Sequence, residues 1–187
     1  MNKERIIRNA GRYLGYKKTI ISEEMLEYLN EGYDIVNKYK VFKHIIKPFT
    51  LSEFSIDESN DLKKIFQNEQ NGILLVTTLG AEIDRQIEKF MLIKPSLGSV
   101  ISAISSAMIE EETNELNKKL RMEYKAQNKR LTSRFSPGYG DAPLSMQEKL
   151  LSFAKAQRIG VYLVHNHFMK PTKSISAIIA VYPIIMN

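Results

Sequence analysis

The stretch that most constrains the fold is GILLVTT, residues 72–78, in which apolar and β-branched side chains occupy consecutive positions. Successive side chains of a strand point to opposite faces, so a run without polar alternation predicts a strand that is buried on both faces. Such a strand needs other elements packed against each face. We therefore expect GILLVTT to be a central strand of a covered sheet.

The remaining sequence mixes helical and strand patterns without regular alternation. Apolar residues at three- and four-residue spacing predict helices over 4–14, 23–36, 59–67, 81–93, 97–122 and 144–155. Ser22 is the predicted N-cap of the second helix. Further strands are predicted at 41–49, which Pro48 confines to a sheet edge or terminates, and at 130–135, 160–166 and 174–183. YLGYKKT, residues 13–19, predicts a turn. The mixture predicts a single α+β domain over residues 1–187, with an antiparallel or mixed sheet and flanking helices.

The composition excludes several classes of protein. The chain contains no cysteine, which excludes disulfides, thiolate metal sites and a cysteine nucleophile. No apolar run approaches the roughly 20 residues that a membrane helix needs. The polar start MNKERIIRNAGR does not resemble a signal peptide. We therefore expect a cytoplasmic, bacterial protein with no membrane partner.

Positive charge is concentrated in residues 115–134. This segment holds seven Lys and Arg residues and two Glu, and the whole chain has a formal net charge of +6. A basic run can meet a nucleic acid or an acidic protein, although a solvated helix face is the commoner explanation. Tyr124 is its single aromatic residue, whereas single-strand binders use several. We therefore do not expect a nucleic acid partner.

A cation precedes a turn with unusual backbone requirements in RFSPGYGDAP, residues 134–143. Pro137 restricts the turn, and the glycines at 138 and 140 accept positive φ and let a ligand approach the backbone. Arg134 offers a planar fork of donors for a carboxylate or phosphate, and Tyr139 offers a ring for a flat ligand. This pattern fits half of a small-molecule site. The alternative is a tight strand-to-helix connection in which Arg134 pairs with Asp141.

If residues 130–135 form a strand, then Arg130, Thr132 and Arg134 share one of its faces. In the long predicted helix, small residues such as Gly98 and Ser102 would allow close packing against another element.

Four segments, in order, carry a resemblance to a known family: RYLGY at 12–16, TLGAEIDRQI at 78–87, RFSPGYGDAPL at 134–144 and MKPTKSISAIIAV at 169–181. They resemble the activation domain of cobalamin-dependent methionine synthase and, more closely, the stand-alone bacterial proteins built from that domain. In this family an arginine followed by Pro-Gly-Tyr binds S-adenosylmethionine. The resemblance covers nearly the whole chain and implies a C-shaped α+β domain around a twisted antiparallel sheet.

The resemblance implies an accessory protein that binds S-adenosylmethionine and supports reductive methylation of a corrinoid. The cobalamin would be held by a partner, such as a methionine synthase lacking its own activation domain, and an electron donor such as flavodoxin would supply the electron. Because the reduced cobalt is the nucleophile, the protein has to position the sulfonium rather than supply a base or a metal. No catalytic side chain and no metal site are therefore expected.

Carried over residue by residue, the ligand-binding turn corresponds to Arg134, Ser136, Pro137, Gly138 and Tyr139. Arg134 would hold the ligand's carboxylate, and the turn would line the adenosine and the sulfonium. An acid of the long helix also reaches the ligand in this family, and it is best placed at Glu110. Glu111 lies about 100° around the helix, so one of the two can point into the groove. The alternative is that 110–112 form a solvated acidic patch.

The chain departs from the family pattern in two places. VISAIS, residues 100–105, stands where relatives have an acidic and small-residue stretch, and the chain lacks the cysteine-rich end that stand-alone relatives often carry. The segment with Thr172, Ser174 and Ser176 is expected near the site or, alternatively, as an ordinary half-buried strand start. His165 and His167 would share a strand face, but no third metal ligand accompanies them.

Two other functions stay open. One is a binding or interaction protein of the same fold that takes another anionic, nucleoside-like ligand or none. The other is a basic nucleic-acid-binding protein that uses residues 115–134, which predicts steeply salt-dependent binding.

Overall fold

The structure is a computed structural model that describes residues 2–16 and 21–184. The helices are α1 (Lys3–Tyr13), α2 (Glu23–Tyr39), α3 (Asn60–Phe66), α4 (Ala81–Ile93), α5 (Pro95–Ala126) and α6 (Met146–Ala154). The strands are β1 (Lys43–Thr50), β2 (Asn71–Thr78), β3 (Lys129–Leu131), β4 (Tyr162–Leu163), β5 (Met169–Lys170) and β6 (Ser174–Pro183). The predicted turn at 13–19 begins where α1 ends, and its residues 17–19 lie outside the described part of the chain.

The main sheet has the strand order β1-β2-β6-β3, and each neighbouring pair is antiparallel. β2 contains the GILLVTT run, lies between β1 and β6, and is buried from Gly72 to Thr78. β1 is an edge strand, where Pro48 is tolerated because it has no N–H to donate to a further strand. The predicted α+β class, the central strand and the edge strand are therefore confirmed.

Helices cover both faces of this sheet. On one face, Leu120 of α5 packs with Leu75 and Ile179. On the other face, Phe66 of α3 packs with residues of α6 and the sheet. A third cluster joins α1, α2 and α4 to the first half of α5. The second half of α5 therefore packs on the sheet, and its first half packs on α1, α2 and α4.

Gly98 allows α5 to pass close to the end of α4. A Cβ atom at Gly98 would lie 2.6 Å from the backbone nitrogen of Met91 and 2.9 Å from its Cα. Real Cβ atoms do not approach backbone atoms so closely, so a side chain here would push the two helices apart. The predicted role of the small residue at this position is confirmed.

β3 is shorter than the predicted strand 130–135, because it ends at Leu131. The amide of Thr132 still donates to the carbonyl of Ala180, and pairing resumes where Phe135 bridges Ile178. The segment from Thr132 to Phe135 advances three residues, whereas its partner β6 advances only two, from Ala180 to Ile178. The extra residue is a β-bulge, which interrupts the ladder and bends the strand.

The bulge changes the face to which Arg134 points. Arg134 lies on the α5 side, where it contacts Glu110, whereas Arg130 lies over the Tyr182 ring at 4.4 Å from its centroid. One extra residue reverses the side of every residue that follows it. The prediction that Arg134 shares a face with Arg130 and Thr132 is therefore wrong.

The predicted strand 160–166 is mostly not a strand. β4 contains only Tyr162–Leu163 and pairs with β5, and His165–His167 form a 3₁₀ turn. Asn166 and His167 have positive φ values of 60° and 62°, which no strand accommodates. The prediction that His165 and His167 share a strand face is wrong for this reason.

Candidate functional site

A cavity of about 610 Å³ lies between α5 and the segment that follows β3. Its volume is in the range of small-molecule sites. The α5 wall consists of Glu110, Asn114, Asn117 and Arg121. Their spacing of four, three and four residues places them on one helix face. The opposite wall consists of residues 133–136, Tyr139, Gly140 and Ile175.

Arg134 enters this cavity because of the bulge. Its Nη2 donates to Glu110 Oε2 and to Asn114 Oδ1, both at 3.0 Å. Its side chain is only 18% exposed. A guanidinium has five N–H donors, and within the described part of the chain no acceptor meets Nε or Nη1. Arg134 therefore keeps one edge of its donor fork available to a ligand.

The three acids at 110–112 have three different surroundings. Glu110 lines the cavity and is 46% exposed. Glu111 is buried and pairs with Arg5 of α1 at 3.3 Å. Glu112 pairs with Lys40. The alternative of a solvated acidic patch is therefore wrong, and Glu110 is the acid that faces the cavity.

One exposed tyrosine lines the cavity, and a second lies near it. Tyr139 is 70% exposed and belongs to the cavity wall, and Tyr13, at the end of α1, is 57% exposed. Partial burial, the carboxylate of Glu110 and the neighbouring Tyr139 raise the pKa of Tyr13 above its ordinary value. Tyr13 therefore lies within electrostatic range of Glu110 and Tyr139.

The turn between the bulge and α6 has the backbone that its sequence predicts. Gly138 and Gly140 have positive φ values of 88° and 54°. Pro137 is buried, and neither Pro137 nor Gly138 lines the cavity. Ser136 does line it, and its hydroxyl donates to the carbonyl of Ser176 at 2.7 Å. Pro137 and Gly138 therefore shape the turn, while Ser136 and Tyr139 face the cavity.

Asp141 does not pair with Arg134. Its carboxylate accepts hydrogen bonds from the Ser59 hydroxyl at 2.5 Å and from the Asn60 amide at 2.8 Å, at the start of α3. These bonds, that of Ser59 first, lower the pKa of Asp141. The alternative in which Arg134 pairs with Asp141 is wrong, since Asp141 caps α3 instead.

Sequence reasoning missed three of the four residues that form the α5 wall. Asn114, Asn117 and Arg121 belong to or adjoin the basic run 115–134, whose sequence favours a solvated helix face. Arg121 donates to the carbonyls of Leu131 and Thr132 at 2.7 and 2.6 Å, and so holds the strand end beside the bulge. The spacing from Glu110 to Arg121 places these four residues on one helix face, but it does not distinguish a cavity wall from a solvated face.

Four of the seven cations in this basic run have partners within the protein. Arg121 and Arg134 bind as described above, Lys118 pairs with Glu115, and Arg130 stacks on Tyr182. The run is therefore not a continuous free basic surface.

The start of β6 brings a second cation towards α5. Lys173 donates to the hydroxyls of Ser102 and Ser106 at 3.0 and 2.9 Å. Partial burial lowers its pKa, and the charge of Asp84 opposes this effect. Both serines line a neighbouring cavity of about 310 Å³ that also includes Tyr13. The segment predicted near the site thus contributes Ile175 to the main cavity and Lys173 beside it.

The other polar residues of this segment have structural partners. Thr172 precedes β6, and its amide and hydroxyl donate to Asp84 of α4. Ser174 donates to Thr78 Oγ1, and Ser176 donates to Gln147 Oε1. Thr172, Ser174 and Ser176 therefore join β6 to its neighbours.

Two negative findings concern only residues 2–16 and 21–184. Their histidine, aspartate and glutamate side chains form no group of three or more that could hold a metal ion. In the same ranges no helix combines the length and the apolar content required to cross a bilayer.

The fold matches a solved structure over the whole chain. That structure is the crystal structure of the MetH reactivation domain bound to AdoHcy, with a TM-score of 0.67 and 12% sequence identity over 100% of this chain and 78% of that chain. No family model matches the sequence, and no curated protein is significantly similar to it. The resemblance to the activation domain is confirmed for the fold.

Proposed function

We propose that the protein binds S-adenosylmethionine in the cavity between α5 and the turn after the bulge, and that it thereby supports reductive methylation of a corrinoid held by a partner protein. The observation that carries the proposal is Arg134, which lies in the cavity with one edge of its guanidinium unpaired. The matching fold was solved with AdoHcy, the demethylated product of S-adenosylmethionine.

The charges of the cavity suit this ligand. S-adenosylmethionine carries a carboxylate, an ammonium and a sulfonium. Arg134 has free donors for the carboxylate, and Glu110 has a partly exposed carboxylate for a positive group. Tyr139 at the rim can lie against a flat or a cationic group. Both signs of charge are thus available in one cavity.

The residues of this chain would bind and orient the ligand rather than move protons. A corrinoid on the partner would supply the nucleophile once an external donor such as flavodoxin had given it one electron. The sulfonium would supply the methyl group, and S-adenosylhomocysteine would remain as the leaving thioether. Holding the reactants in line is a sufficient task for such a protein. Tyr139 of the cavity wall is 70% exposed, so a methyl group bound beside it would lie at the protein surface.

Glu110→Gln is expected to weaken the binding of S-adenosylmethionine more than the binding of S-adenosylhomocysteine. The ratio of the two dissociation constants is expected to change by about fivefold. The two ligands differ by the methyl group and the sulfonium charge, and an attraction between unit charges at close range in a partly exposed site is on the order of 1 kcal/mol. Calorimetric titration of both ligands into both proteins measures this ratio.

The control is Glu112→Gln, which removes an acid two residues further along α5 that pairs with Lys40 outside the cavity. This variant is expected to keep the wild-type ratio. If folded wild-type protein shows no saturable binding of either ligand, the proposed function is contradicted.

The corrinoid role has its own test. The protein is mixed with a methionine synthase lacking its activation domain and inactivated as cob(II)alamin, together with reduced flavodoxin and S-adenosylmethionine. The absorbance of methylcobalamin is expected to return, and to stay absent when the protein is omitted. Equal recovery with and without the protein would contradict this role.

A further inference from the structure

One polar residue of the α5 wall lacks a partner. Glu110 and Asn114 both accept from Arg134, and Arg121 donates to two backbone carbonyls. Asn117 also lines the cavity, but its Oδ1 is buried and has no hydrogen-bond partner. Among the described residues it is the single buried side-chain polar atom of this kind.

A buried acceptor without a donor calls for an explanation, because most buried polar atoms in folded proteins are hydrogen-bonded. Asn117 lies on the wall of a cavity of ligand size, so a donor can come from a ligand. An asparagine amide presents an acceptor beside a donor. This pair complements the edge of adenine, where the N6 amino group donates and the neighbouring ring nitrogen accepts.

The place of Asn117 along α5 agrees with such a contact. Asn117 follows Glu110 by seven residues, or about 10.5 Å along the helix axis. With the charged end of the ligand at Arg134 and Glu110, this separation leaves room for the ribose between that end and the base. Asn117 would then meet the base rather than the amino acid part of the ligand.

We propose that Asn117 determines the base specificity of this cavity by accepting a hydrogen bond from the exocyclic N6 amino group of adenine. The inference rests on the proposed function, since it needs an adenosyl ligand in this cavity. A 6-oxo base such as hypoxanthine presents an acceptor at the same position, where two oxygens would face each other. The cavity therefore discriminates against inosine-type ligands.

The test compares S-adenosylhomocysteine with S-inosylhomocysteine, in which a carbonyl replaces the amino group. Wild-type protein is expected to prefer the adenosyl ligand by about tenfold, the scale of one buried hydrogen bond and its loss. Asn117→Ala is expected to reduce this preference to about twofold or less. Asn117→Asp keeps the volume and the acceptor, so it is expected to retain the preference. Lys119→Ala, which trims an exposed residue of α5 outside the cavity, is the control and should leave the preference unchanged.

The ratio of the two affinities is the deciding measurement, because a structural role would weaken both ligands equally. If S-adenosylhomocysteine binds and Asn117→Ala keeps the wild-type preference, or loses both ligands to the same extent, the inference is overturned while the proposed function stands. If a folded wild type binds neither ligand, the proposed function and this inference both fail.

Discussion

Arg134→Ala is expected to weaken the binding of S-adenosylhomocysteine by about 10- to 150-fold. A hydrogen bond between charged groups contributes about 1.5–3 kcal/mol, and each 1.4 kcal/mol is a factor of about ten in the dissociation constant. The side chain is only 18% exposed, so a carboxylate bound there is partly removed from water. Its former partners, Glu110 and Asn114, line an open cavity and can be solvated in the variant. Calorimetric titration measures the loss.

The chain offers a matched control in Arg130→Ala. Arg130 precedes the bulge and points to the opposite face of the sheet from Arg134. It lies over the Tyr182 ring and does not line the cavity. Its removal changes the net charge of the protein by the same amount but leaves the cavity intact. Equal weakening by both substitutions would show that Arg134 acts through net charge alone, and would contradict its direct contact with the ligand.

Phe66→Ala is expected to lower the free energy of unfolding by about 3–5 kcal/mol. Phe66 is 1% exposed, its ring lies 6.0 Å from that of Phe49, and both rings lie against Gly72 of β2. Removing a buried aromatic ring loses the free energy gained when the ring moves from water into the protein interior. It also leaves a cavity in a packed core. Such a loss is a large part of the 5–15 kcal/mol that stabilises a typical domain. Urea denaturation monitored by circular dichroism measures it.

Phe168→Ala is the control for this substitution. Phe168 is 61% exposed and follows the 3₁₀ turn at 165–167. Its truncation is expected to change the free energy of unfolding by no more than about 0.5 kcal/mol. If the two variants lose the same stability, Phe66 does not have the packing role that its burial indicates.

The elements predicted correctly are those that local patterns determine. GILLVTT is central because seven consecutive residues have no polar face, and β1 lies at the edge because Pro48 cannot donate. The turn at 137–140 follows from proline and glycine, whose backbone preferences are intrinsic. The resemblance to a known family indicates Glu110, and helical geometry adds only that one of Glu110 and Glu111 can face the groove.

The elements missed depend on contacts between distant segments. The bulge before Phe135 arises from pairing with β6, some 40 residues later, and no local signal marks its extra residue. Asn114, Asn117 and Arg121 have the spacing of any polar helix face. The sequence therefore does not show whether this face is exposed to solvent or lines a cavity. Asp141 caps a helix 80 residues earlier, which likewise cannot be read from its neighbours.

The turn that contains Tyr139 is attached at both ends. Ser136 is bound to β6 and Asp141 is bound to the first turn of α3, while Pro137 restricts the backbone between them. Fixing a free backbone residue costs roughly 1–2 kcal/mol of conformational entropy. Here folding has already ordered these residues, so a ligand that enters the cavity does not have to order them. The contacts of the ligand therefore contribute to its affinity without being offset by the ordering of this turn.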